Sequence, residues 1–581
     1  MSSSVVVVTN TSDAMNGNVS SVAALNARPG RDGISLREAL EAADHTRGSQ
    51  TVYIMFSHAL NGRTIEIRSE LPPIHRSHLV LEGIAASGLP ASVTIDGSRA
   101  PSATTDELLL VQASEVTIRW LRFAGLHRGN PTGRMEAVVV RPGWEEGGFS
   151  SPGPRTIAGV QVTDDVFDNR GNTSPGANAL IVGTIFGISA GANRRVSGVT
   201  IAHDSFLGYA TDTALGIWAD GSGTSIGAVT IERNSFYGDL YAIELSEGGN
   251  GPRQDGEQIV GNAIVGGGVP NAIGVSVNTT NATNATIAGT VIEGNTITGV
   301  DGTAINVDAE VFNPGMGSSA SGDAVADTQI ANNLIRAGQG TDVGIYISGG
   351  DLTAPSPSSV SGLAIENDTL VEDGTGSVLN LIPNGEGVSG NEITRVTVRN
   401  AILWDPNGTP ITTGSQPVYN QAPDAVMNSL ISGPGWAGTD GNINANPDFV
   451  NEPGGDYQLA AGSPAINAGT TVGAPAYDID GASRRLPPDI GAFEYGAVPR
   501  PLLAVTVEQL GGSGTVTSSP GGINCGIACS ARFDPATVLA LTARPDKRSR
   551  FLGWQGACSG TRRCSIKLSV GKSVTARFGP K

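Results

Sequence analysis

From Val199 to Leu381 one short pattern keeps returning: apolar, any residue, apolar, two residues, Asn or Asp, any residue, apolar. It reads Val199-Thr-Ile201 with Asp204-Ser-Phe206, Val229-Thr-Ile231 with Asn234-Ser-Phe236, and Ile259 with Asn262-Ala-Ile264. It continues as Ile292 with Asn295-Thr-Ile297, Ile330 with Asn333-Leu-Ile335, and Ile365 with Asp368-Thr-Leu370. The Asn/Asp positions recur every ~30–35 residues, the signature of a solenoid. Within each unit the apolar period is two, so the units are strands and not helical hairpins. Val, Ile and Thr dominate, as a pleated, half-buried surface prefers. Strands and turns repeated along one axis predict a parallel β-helix. The recurring Asn/Asp then form a ladder at one corner of the coils, a structural role and neither a catalytic nor a metal-binding one.

At the N-terminus a short strand, Val5 to Thr11, precedes Asp32-Gly-Ile-Ser35-Leu-Arg-Glu38-Ala-Leu-Glu-Ala-Ala43. Ser35 with Glu38 forms a capping box, and Leu36, Ala39, Leu40 and Ala43 share one face of a short helix. Such a helix protects the unpaired strand edges of an open β-helix end. Strands then follow at Val52–Phe56, Thr64–Ile67, Leu79–Leu81, Val93–Ile95, Leu108–Val111 and Val116–Phe123. The Gly/Pro-rich stretch from Arg141 to Pro154, with Trp144-Glu-Glu146, is expected to leave the coil and wall a groove. After Pro406 the pattern loosens into a Pro/Gly/Asn-rich tail.

Three segments carry resemblances. Ile34-Ser-Leu-Arg-Glu-Ala39 resembles the CSLREA segment of many secreted bacterial β-helix proteins, with Ile34 in the place of Cys. Asn446-Pro-Asp-Phe449, Ser463-Pro-Ala-Ile-Asn467 and Asp489-Ile-Gly-Ala-Phe-Glu494 resemble the closing segment of choice-of-anchor β-helix proteins. Gly514 to Phe578 is similar to an internalin-B-type repeat, a small β-rich module of cell-surface proteins. Together they imply an all-β chain: a right-handed parallel β-helix of the pectate-lyase-like kind, an N-terminal capping helix and a small C-terminal module. The expected divisions are 1–60 for the cap, 61–405 for the coils, 406–498 for the closing segment and 502–581 for the module. That superfamily holds polysaccharide lyases, hydrolases and epimerases as well as adhesins, and fold does not choose among them.

Charge sharpens the division. The chain carries a formal net charge of −18, yet the segment from Leu502 onward carries +8, which leaves −26 for the rest. All four Lys and all four Cys lie in that last segment. Two local bridges, Cys525–Cys529 and Cys558–Cys564, are the simplest pairing, although four Cys allow three. No Cys-x-x-Cys pair is present, which disfavours zinc. An acidic body argues against nucleic acid, no apolar run spans a bilayer, and an even Cys count suggests export to the cell surface or beyond. Met1-Ser-Ser-Ser lacks the basic start of a signal peptide, so the sequence is read as beginning at a mature end. A monomer is expected.

The strand after each Asn turn presents a continuous outer face: Trp218 and Asp220, Glu244 and Ser246, Ser276 and Asn278, Asn306, Asp308 and Glu310, then Tyr346. Adjacent coils are ~4.8 Å apart, so Glu244 and Asp308 lie on the order of 10 Å apart. Asp308 and Glu310 lie ~6.5–7 Å apart on one strand. Carboxylates flanked by aromatics on a flat groove suit a glycan and acid/base cleavage, with Glu244, Asp308, Asp220 and Glu310 as catalytic candidates. Trp218, Tyr346, Asn278 and Asn306 are the substrate-binding candidates. The competing account is that any outer face of a β-helix is polar. In that case the chain is a non-catalytic, glycan-binding surface or adhesion protein, its basic module docked to an anionic wall or matrix. No Lys precedes Asp546, so a lyase would have to use Arg233, Arg253 or one of the few His, and His127 and His203 have no evident partner. No nucleophile-elbow, zincin, P-loop or dinucleotide motif is present. Calcium stays open as a ligand, without a Gly-rich nonapeptide repeat to hold it.

Overall fold

The computed structural model describes residues 4–83, 93–100, 107–126, 135–146, 149–151, 153–172, 175–183, 193–311, 322–338, 343–349, 357–372, 374, 376–382, 392–413, 425–433, 435–436, 438–499, 501–509, 514–520, 523–525, 530–533, 537–545 and 549–581. The architecture is a right-handed parallel β-helix. Among the described residues, three parallel sheets of 13, 8 and 21 strands run along its axis. The largest bends round a corner, so the coils between Thr156 and Thr413 have four sides. One coil reads Arg195–Ser197, Thr200–Ala202, Ser205–Leu207 and Thr213–Asp220.

Register is kept from coil to coil, because a slip of one residue would turn every apolar side chain outward. Ile201 lies opposite Ile231, Ile231 opposite Ile259, and Ile259 opposite Ile292. At the next side the rings of Phe123, Phe167, Phe206 and Phe236 stack at 5.2, 4.9 and 4.6 Å, almost parallel, inside the core. Ile264 and Ile297 continue that column.

The Asn/Asp ladder is present at the corner between these two sides. Backbone N–H groups of Asp165, Asp204, Asn234, Asn262, Asn295 and Asn333 donate in turn to the Oδ1 of Asp204, Asn234, Asn262, Asn295, Asn333 and Asp368, at 2.7–2.9 Å. Each Asn amide also donates to a carbonyl of the coil before, as Asn295 Nδ2 does to Ile259 O at 2.9 Å. The residue before the ladder position turns the corner in the left-handed region, and His203 is one of these, with φ 61°. Asn295→Ala is expected to lower stability by roughly 2–4 kcal/mol, because it orphans the buried Asn262 N–H and the Ile259 carbonyl. The shift of the denaturation midpoint measures it.

The N-terminal end is closed as expected. Helix α1 (Val22–Ala27) and helix α2 (Leu36–Asp44) pack their buried faces into the same core as the first strands, Ser4–Val8 and Val52–Phe56. The capping box of Ser35 and Glu38 is formed. Glu38 does more: its Oε1 also accepts the backbone N–H groups of Asn16 and Gly17, both at 2.6 Å, pinning the preceding loop.

The closing segment runs back along the side of the last coils. Asn332, Asn367 and Asn400, corner residues of three successive coils, donate to the carbonyls of Tyr477, Asp489 and Thr470. Ile490, Leu459 and Ala465 bury an outward apolar patch of Ile402 and Leu430, and Tyr457 buries Leu334 and Val371. Arg484 locks the arrangement. It donates to Asn332 Oδ1 at 2.6 Å and to the Gly491 carbonyl at 2.8 Å, and pairs with Glu494 at 3.6 Å.

The chain from Leu502 onward has its own small core around Leu503, Val516, Leu541, Trp554 and Phe578. One four-stranded sheet joins Ser530–Arg532, Leu502–Gln509, Lys572–Pro580 and Ser549–Gly556. The other, antiparallel, joins Asn524–Cys525, Gly514–Ser519, Val538–Pro545 and Cys564–Lys567. Cys558 and Cys564 form a disulfide. Cys529 and the side chain of Cys525 lie outside the described residues, as does His127.

Candidate functional site

The outer face after the Asn corner is built from Thr213–Asp220, Tyr241–Asn250, Pro270–Thr283, Thr296–Val311 and Val343–Ser348. Two outward columns cross these strands. One carries Gly216, Glu244, Ser276, Asn306 and Tyr346. The other carries Trp218, Ser246, Asn278, Asp308 and Ser348.

Trp218 corrects one expectation. It is no open stacking platform: it is only 5% exposed and joins Leu110, Val139 and Ile181 in an apolar cluster on the outside of the sheet. The indole lies over Gly216, where a Cβ would come within 2.6 Å of its ring. It remains next to Glu244, whose Oε2 accepts the indole N–H at 3.1 Å and the Thr213 hydroxyl at 2.9 Å. Burial raises the Glu244 pKa, and the hydrogen bonds from Thr213 and Trp218 oppose that rise, while the nearby Asp212 carboxylate adds to it.

Asp212 and Tyr241 complete the neighbourhood. Asp212 accepts the backbone N–H groups of Gly176 at 2.7 Å and Thr213 at 3.2 Å. Tyr241 has its pKa raised by burial and by the charges of Glu244 and Asp212. Glu244, Asp212, Tyr241 and Thr213 therefore converge, although they come from turns and strand starts of two coils. Strand parity alone does not reveal Asp212, which lies in a turn, or Tyr241, which is the first residue of its strand.

Asp308 stands apart from Glu244. It lies two coils on and two positions along, a backbone separation of about 12 Å. The ~6.5–9.5 Å of an acid and base acting across a water is measured between carboxyl groups, and the backbone spacing puts Asp308 at or beyond its upper end. Its neighbour is Tyr346, whose pKa is raised by burial and by the Asp308 charge. Asn278 and Asn306 are 3% and 7% exposed, so neither is open to a ligand in this form. They join a side-chain relay in which Ser246 donates to Asn278, and Asn278 and Asn306 donate to Ser276. Asp220 is buried at the far end of its strand, opposite Gly248, and not beside Glu244. The side chain of Glu310 lies outside the described residues.

Among the described residues no three His, Cys, Asp or Glu side chains converge as a metal site. No described helix is long and apolar enough to cross a membrane. A cleft of about 700 Å³ lies elsewhere, lined by Glu41, Asp44, His45, His75, Arg76 and His78. It is the joint between α2 and the first coils: Asp44 accepts from His75 and Arg76, and Arg76 donates to the carbonyls of Gly48 and Gln50.

No protein-family model matches this chain, and a search of curated proteins finds no relative. Solved structures similar to it include an alginate lyase at 13% identity and TM-score 0.41, covering 87% of this chain and 61% of that one. This chain thus spans about three fifths of that lyase's length. A pectate lyase is similar at 14% identity and TM-score 0.31, covering 66% of this chain and 88% of that one. So is the A-module of an Azotobacter vinelandii mannuronan C-5 epimerase, at 13% identity and TM-score 0.29, covering 68% and 95%. At such identities the likeness concerns the fold alone.

Proposed function

We propose that the chain is a secreted, carbohydrate-active β-helix protein that binds a polysaccharide along this outer face and cleaves it by carboxylate chemistry. The observation that carries the reading is Glu244, a carboxyl that accepts from the Trp218 indole and the Thr213 hydroxyl, with its pKa raised by burial, beside a second carboxylate, Asp212, and a phenol, Tyr241. Two acids in unlike surroundings take unlike roles. Glu244 acts as the proton donor to the leaving oxygen, and Asp212 is the partner base or nucleophile. Asp308 and Tyr346 hold sugar units further along the face. The Cys558–Cys564 disulfide suits an exported chain.

The test is product release from a panel of neutral and acidic polysaccharides, read as reducing ends and as absorbance from unsaturated uronates. Glu244→Gln is expected to lower the rate by about 10²-fold or more, and Asp212→Asn likewise. Asp308→Asn is expected to weaken substrate binding with a smaller effect on turnover. Absorbance surviving in both the Glu244 and Asp212 variants would place a lyase site elsewhere and end this assignment. The second reading is a non-catalytic glycan-binding rod. The Ser246–Asn278–Ser276–Asn306 relay favours it, because those groups satisfy one another. Silence across the panel with retained glycan binding would select it.

A further inference from the structure

The C-terminal module contains a cleft that the outer face of the β-helix does not use. Its volume is about 390 Å³, and Phe551, Trp554, Thr542, Thr561, Arg562 and Arg563 line it. Phe551 and Trp554 meet edge to face at 4.9 Å, and Phe551 is only half-buried, so an aromatic edge forms the floor. Arg562 and Arg563 are exposed on one wall, and the Thr542 and Thr561 hydroxyls are exposed beside them.

The wall that carries the two arginines is held in shape. The Cys558–Cys564 disulfide closes a loop with a sequence separation of 6 around it. Trp554 ties the same loop from beneath: its backbone N–H donates to the Gly560 carbonyl at 2.7 Å, and its indole N–H donates to the Arg562 carbonyl at 2.9 Å. A loop fixed before binding loses little entropy when a ligand arrives. Two adjacent guanidinium groups match planar oxyanions, and a ring with hydroxyls beside it matches a sugar. The cleft has the volume of one or two sugar rings, at the small end of ligand pockets. A protein partner would be met by a wider, flatter surface.

We infer that this cleft is a binding site for a carboxylate-bearing sugar unit, the uronate of an acidic polysaccharide. Arg562 and Arg563 grip the carboxylate, Phe551 packs under the ring, and the two threonines reach its hydroxyls. The site anchors the chain to acidic glycan and needs no catalysis by Glu244.

The test uses the full chain carrying Glu244→Gln, with defined oligouronides as probes in titration calorimetry. Arg562→Ala/Arg563→Ala, both exposed, is expected to weaken one class of sites at least tenfold. Arg562→Lys/Arg563→Lys, which keeps the charge, is expected to weaken it to a similar extent, because lysine makes no bidentate contact. The carboxyl-reduced form of the same oligosaccharide is expected to leave that class of sites empty. Lysine variants that bind like the parent would show a diffuse electrostatic surface and overturn the site. Equal binding of inorganic phosphate or of a sulfated oligosaccharide would overturn the uronate assignment. A titration unchanged by both Arg pairs would overturn the site while leaving the reading of Glu244 untouched.

Discussion

Stability is expected to fall as pH rises from about 4 to about 7, the reverse of ordinary acid denaturation. The corner of the β-helix and the core beside it hold carboxyls that burial keeps protonated. Asp368 is raised to about 7, Glu257 to about 7 and Asp323 to about 6. Asp165 and Asp204 stand on neighbouring rungs of the ladder, and burial raises both; the Asp164 carboxylate raises Asp165 further, and the Asp165 carboxylate raises Asp204 further. In the unfolded chain these acids titrate near pH 4. Between that value and the folded one, the folded state binds more protons. The stabilisation is therefore fully present below about pH 4 and is lost as pH passes through about 7. At about 1.4 kcal/mol per unit, Asp368 alone accounts for roughly 4 kcal/mol. Thermal midpoints at pH 5 and pH 8 measure the effect, with the higher midpoint expected at pH 5. Asp368→Asn is the sharper check, because Asn fills the same position in the coils of Asn234, Asn262, Asn295 and Asn333. It is expected to raise the midpoint most at pH 8 and by less at pH 5. A midpoint flat across that range in the parent would show that these carboxyls are ionised in the fold.

Arg484→Ala is expected to destabilise the C-terminal coils by about 3–5 kcal/mol, the cost of leaving a buried ion pair without one partner. Arg484 is 3% and Glu494 1% exposed at the side chain. Without the guanidinium, Glu494 and the nearby buried Asp489 and Asp478 lose their common cation. Asn332 Oδ1 and the Gly491 carbonyl lose their donor as well. Because stability in a solenoid is shared mainly between neighbouring coils, the loss should be local. Limited proteolysis should then cut between about 392 and 499 while the coils near Phe206 stay intact. Arg484→Met, which fills similar space without restoring the charge, should behave like the Ala variant if the cation is what matters. If Met restores stability, packing dominates at that position.

The strand period, the recurring Asn/Asp and the capping box of Ser35 and Glu38 were legible in the sequence because each depends on residues close together in the chain. A period of two fixes which side chains face inward whatever lies beyond the strand. An amide that recurs once per coil has one place to bond, the rungs above and below. Three other features were not legible, and each depends on what meets a surface from outside. Parity turns Trp218 outward, yet only the tertiary structure sets it against Leu110, Val139 and Ile181 and takes it from the groove. Asp212, in a turn, and Tyr241, at the head of its strand, join Glu244 through contacts that the strand pattern does not encode. The segment around Asp489 to Glu494 marks the end of the coils, but its route back over Asn332, Asn367 and Asn400 is decided by long-range contacts. The physical reason is the same throughout: backbone pairing repeats with the sequence, whereas the burial of an outward side chain depends on a chain segment that arrives from far away.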